Sequence, residues 1–93
     1  MISIEQIHHV AYRCKNAKDT VNFYKKYLNM DLLVSIAEDR VPSTKEENPY
    51  MHVFLDAGNG NILAFFEITG EKPLSRDLNT PAWVQHIAFK LEN

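Results

Sequence analysis

At 93 residues, with 45% hydrophobic and 24% charged side chains, the chain has room for one small folded domain and is too well balanced in composition for disorder. A net charge of −2 and a pI near 6.0 offer no basic field to attract phosphates, which argues against a nucleic-acid partner. No apolar run approaches the roughly 20 residues that span a bilayer and no leader pattern opens the sequence, so no membrane association and a cytoplasmic location are expected; the single Cys14, which has no internal disulfide partner, fits a reducing compartment.

The first element is a strand. Ile7 to Tyr12 alternates so that Ile7, His9, Ala11 and Arg13 share one face and His8, Val10 and Tyr12 the other. Asn16 then precedes Ala17-Lys18-Asp19, an N-cap with an acid at N3, and Ala17, Val21, Tyr24 and Leu28 follow at helical spacing, which predicts a helix over 17–28. Asn29 stands where a left-handed residue ends such a helix. Met30 to Ile36 reads as a short apolar strand, and Ala37 to Pro49, with two prolines and charges of both signs, as a loop. Tyr50 to Ala57 and Asn61 to Ile68 are strands rich in aromatic and β-branched residues, joined by the hairpin signal Gly58-Asn59-Gly60. Thr69 to Pro81 reads as a connection, and Trp83 to Leu91 as a last strand. The order is strand, helix, strand, strand, strand, an α+β layout.

An internal repeat organises these elements. The segment from Ile7 to Asn16 lies over the segment from Val84 to Asn93 at the constant offset of 77 that separates His9 from His86. His, Ala and Asn are identical, and Ile/Val, Tyr/Phe and Arg/Lys are equivalent exchanges. Residues 1–68 therefore form a first βαβββ module, 69–82 a linker, and 83–93 the first strand of a second, incomplete module. Asn93 corresponds to the helix-opening Asn16, so truncation, or completion of the second module by another chain, is expected. Two chains that each offer one such module could bury the sheet face that one alone leaves open, which predicts a two-fold homodimer.

Three residues stand out as candidate metal ligands: His9, Glu67 and His86. The two histidines occupy the same repeat position among small or apolar neighbours, and Glu67 shares a strand face with Leu63 and Phe65, where a buried carboxylate needs a partner such as a divalent cation. Taken singly, each reads as an ordinary hydrogen-bonded strand residue; the paired histidines favour the metal site. Arg13, Tyr50, Phe65 and Trp83 are candidates to line a pocket for a small, partly aromatic or anionic substrate. His8 reads as facing the helix and His52 as a sheet-face residue, neither with a role. No P-loop, GxSxG, CxxC or GxGxxG motif is present.

Ile7-His8-His9-Val10-Ala11, the helix end Asn22 to Met30, Phe65-Phe66-Glu67 and Gln85-His86-Ile87-Ala88 together resemble the vicinal oxygen chelate superfamily, which includes glyoxalase I, methylmalonyl-CoA epimerase, extradiol dioxygenases and bleomycin-resistance proteins. The resemblance spans nearly the whole chain and departs where Asn29 replaces the usual Gly. It implies paired βαβββ modules around one divalent ion (Zn, Ni, Co, Mn or Fe), with His9, Glu67 and His86 as ligands and Glu67 as the proton-moving carboxylate. The fourth ligand, on the last strand of a second module, has no counterpart in this sequence. The resemblance thus implies a metal-dependent glyoxalase- or epimerase-like lyase or isomerase acting on a small oxygen-chelating substrate, or a fragment of one. The alternatives are an extradiol-dioxygenase-like oxidoreductase and a non-catalytic, bleomycin-resistance-like binding protein.

Overall fold

The chain folds as β1 (Val10–Cys14), α1 (Ala17–Leu28), β2 (Asp31–Arg40), β3 (Glu47–Gly58) and β4 (Asn61–Ile68), in a computed structural model that describes residues 1–40, 43–45, 47–69, 75 and 77–92. Loop residues 41, 42 and 46, part of the expected linker (70–74 and 76) and the repeat residue Asn93 lie outside the described residues. The strands form one sheet of order β1-β4-β3-β2, with β1 parallel to β4 and the other pairs antiparallel. The β1–β4 pair is parallel because the chain crosses over through α1 and the β2–β3 hairpin before β4 returns beside β1.

Local chemistry sets α1 at both ends. Asn16 is extended (φ −149°, ψ 118°), and its Oδ1 accepts from the Asp19 N–H at 2.9 Å. At the other end Asn29 takes the left-handed conformation (φ 54°, ψ 36°), while its N–H donates to the Lys25 carbonyl and the Met30 N–H to that of Tyr24. The β3–β4 hairpin is equally local. Asn59 and Gly60 both have positive φ, as a type I′ turn requires, and Asp56 Oδ1 and the Gly58 carbonyl hold it through the Gly58 N–H and Asn61 Nδ2.

The core lies between α1 and one face of the sheet. Cys14, Ala17, Met30, Val53, Leu55, Leu63 and Phe65 are buried there, with Val10, Val21, Tyr24 and Met51 packed around them. Leu55 and Leu63 have almost no exposed surface (0% and 1%). Burial in this layer pushes the Tyr24 hydroxyl above the usual tyrosine range.

Four expected elements differ. β1 starts at Val10, not Ile7, because its parallel partner β4 only begins at Asn61, just past the hairpin turn, and Val10 already faces Leu63. β2 and β3 run further into the polar stretch than expected: Glu38 pairs with Tyr50 and Arg40 with Glu47, since backbone pairing at a solvent-facing edge does not need apolar side chains. The last strand expected over Trp83 to Leu91 is not formed. That segment turns at Pro81, whose carbonyl accepts from the Val84 N–H at 3.0 Å, and residues 87–91 then line an apolar groove of about 480 Å³ with Ile7, Val10, Leu28 and Met30. A strand needs a ladder, and among the described residues none is offered to it.

Candidate functional site

The sheet separates two environments, and strand alternation assigns each residue to one of them. On β4, Leu63, Phe65 and Glu67 face α1, whereas Ile62, Ala64, Phe66 and Ile68 face the other way. Across the ladders, Tyr50, His52 and Phe54 of β3 and Ala11 and Arg13 of β1 share that second face, which no helix among the described residues covers. Val34 and Ile36 of β2 extend it and are 46% and 38% exposed.

His52 is the centre of the open face. Its ring stacks on Phe66 with centroids 3.6 Å apart and planes at 17°, and Phe54 lies 4.1 Å away. Tyr50 meets Phe66 edge-on at 5.5 Å. His9 approaches from just before β1, at 5.2 Å from Phe54 and 6.3 Å from His52, and its Nδ1 lies 2.8 Å from that of His8. Desolvation, and then the neighbouring charge on His9, hold the His52 imidazole below the ordinary histidine pKa. Its Nε2 is buried and meets no hydrogen-bond partner among the described residues. A shielded nitrogen of this kind costs roughly 1–3 kcal/mol relative to a satisfied one.

Glu67 belongs to the opposite side. It sits across from Cys14 and Met51 in the ladders, and its Oε1 accepts from the Ala17 N–H at 2.6 Å. The carboxylate thus satisfies one of the donors that the first turn of a helix leaves open, at the positive end of the helix dipole.

The sequence-predicted residues are therefore divided. His9 lies at the open face, Glu67 lies under α1, and His86 is exposed, with its Nδ1 3.2 Å from the Val84 carbonyl. An ion held at about 2.0–2.2 Å from each donor cannot be reached from both faces of a sheet. Among the described residues no three of the His, Cys, Asp and Glu side chains form a group suited to a metal ion. The donor set expected for a divalent cation does not fit this arrangement. Of the expected pocket residues, Arg13 and Tyr50 are on the open face, and Arg13 lies opposite Phe66 in the β1–β4 ladder. Phe65 is core instead, 7% exposed and 5.2 Å from the Tyr24 ring, because its alternation places it under the helix. Trp83 is 78% exposed in the turn after Pro81. Sequence reasoning passed over His52, Phe54 and Phe66; the signal available was the period-two run Tyr50, His52, Phe54 facing the odd aromatic of Phe65-Phe66.

The family model for the Glyoxalase/Bleomycin resistance protein/Dioxygenase superfamily matches residues 6–93. No curated protein and no solved structure matches the chain significantly.

Proposed function

Since the chain belongs to the Glyoxalase/Bleomycin resistance protein/Dioxygenase superfamily, we propose that its βαβββ module binds a small, flat, partly aromatic molecule on the open sheet face, as one wall of a cleft, without using the His9–Glu67–His86 donor set. The observation that carries this reading is the shielded, unpartnered His52 Nε2 among Phe54, Phe66 and His9. Aromatic rings supply area and stacking, and one neutral imidazole nitrogen supplies a directional hydrogen bond; a ligand that offers the complementary group recovers what the free protein forgoes. A carboxylate committed to α1 is not available beside His9, which speaks against the metal-dependent lyase, isomerase and dioxygenase readings.

The second wall is supplied by another βαβββ module, most simply from a second copy of the chain. Its accessible surface is 7979 Å², against about 5,500 Å² expected for a compact monomer of this mass. That excess includes the exposed residues 1–9 and 81–92 as well as the open sheet face.

The test is a screen of small aromatic alcohols and carboxylic acids, followed by NMR of the His52 imidazole nitrogens. Bound ligand is expected to move the Nε2 resonance, and both His52→Ala and Phe66→Ala to weaken binding by about tenfold or more. If ligands bind with the His52 resonances unmoved and with equal affinity in both variants, the open face is not the site.

A further inference from the structure

We infer that Glu67 is the residue that fastens α1 to the sheet and is not a ligand of a metal ion, so any divalent cation this chain holds is held without it. The inference rests on geometry independent of whether the open face takes a small molecule.

Three observations converge. Glu67 is in register with Cys14 and Met51, both on the α1 side of the sheet. Its Oε1 lies 2.6 Å from the Ala17 nitrogen, the short separation of a charge-assisted bond, and Ala17 is itself buried (4% exposed). The bond ties together residues 50 positions apart, the last strand of the module and the first turn of its helix. The neighbouring donor is already served: Asn16 Oδ1 takes the Asp19 N–H. Asn16 and Glu67 thus satisfy two of the open amides of the first turn, one from within the local sequence and one from across the fold.

Turning the carboxylate to the open face would require β4 to slip by one residue. Such a slip moves every side chain of the strand to the other side, so Leu63 and Phe65 would leave the core together with Glu67. The same alternation that buries those two residues commits Glu67 to the helix.

The test uses the full chain as wild type, Glu67→Gln, Glu67→Ala and His9→Ala. Thermal melts are recorded without metal and with zinc, nickel or manganese chloride, and amide exchange is followed at Ala17. Without metal, Glu67→Ala is expected to melt about 4–8 °C lower and its Ala17 amide to exchange about tenfold faster. Glu67→Gln, whose amide oxygen can accept the same bond, is expected to recover part of both, and any metal-induced rise in melting temperature to be as large in Glu67→Gln as in wild type. Loss of that rise in Glu67→Gln would overturn the inference. So would an unchanged melt and an unchanged Ala17 exchange in Glu67→Ala; if that variant does not fold, exchange and metal response in Glu67→Gln decide. A metal-induced rise that survives in Glu67→Gln but disappears in His9→Ala supports the inference while counting against a metal-free open face, which separates the two readings.

Discussion

His52 is kept neutral by its surroundings. Burial against Phe54 and Phe66, and secondarily the charge on His9, depress its pKa in the folded state, so the unfolded chain takes up a proton there more readily than the folded one. The stability it contributes is present in full above the unfolded value of about 6.5 and is lost as pH falls through the lower folded value. Melting temperature is therefore expected to decline between about pH 7 and 5, and to decline less steeply in His52→Phe. Parallel profiles for the two proteins would refute the assignment. A second residue whose backbone dictates its identity is Asn29, at φ 54°. Asn29→Gly should be tolerated, whereas Asn29→Val should cost about 1–2 kcal/mol in urea unfolding, because a β-branched side chain clashes in the left-handed region.

β3 and β4 each carry two functions on alternate residues. Val53 and Leu55 fill the core while His52 and Phe54 line the open face, and on β4 Phe65 and Glu67 serve α1 while Phe66 lies beneath His52. Packing and site are thus separable by substitution. Leu55→Ala leaves a cavity at a position with 0% exposure and should cost about 2–5 kcal/mol, a large share of the stability of a chain this small, visible in denaturant unfolding. Phe66→Ala should cost less in unfolding and more in binding. β2 is an edge strand, exposed along all ten residues, with register shifts at Leu32/Val34 and Glu38/Arg40. Those irregularities and the charged Asp31, Glu38, Asp39 and Arg40 discourage open-ended strand addition along this edge.

At the level of the folded chain, one face of the sheet packs against α1, while Tyr50, His52, Phe54 and Phe66 on the other are half-buried. The Cα radius of gyration is 14.9 Å, against about 13 Å for a compact domain of about 100 residues. Among the described residues no helix is long and apolar enough to cross a membrane. Light scattering is expected to give the mass of two chains, with a melting temperature that rises with protein concentration. Ile36→Lys, on the exposed part of the open face, should shift the equilibrium toward the single chain; a concentration-independent monomer for wild type would remove the second-copy reading.

Features under short-range control were legible in the amino-acid order. Asn16, Asp19 and Asn29 delimited the helix over 17–28 to the residue, and Asn59-Gly60 set both the hairpin and the start of β4, because caps and tight turns are satisfied by neighbours along the chain. Alternation also placed Glu67 with Leu63 and Phe65, and Ala11 with Arg13, on their respective strand faces, whereas His9 lies just before β1. Which of those faces meet was a matter for tertiary structure alone. The β1–β4 ladder puts Glu67 with the helix, ring contacts with Phe54 and His52 put His9 at the open face, and the 50-residue separation of Ala17 and Glu67 is bridged only once the module closes. The strand expected at Trp83 to Leu91 did not form for the same reason: its pattern repeats that of β1, but a ladder is a property of two strands, and a sequence pattern supplies only one.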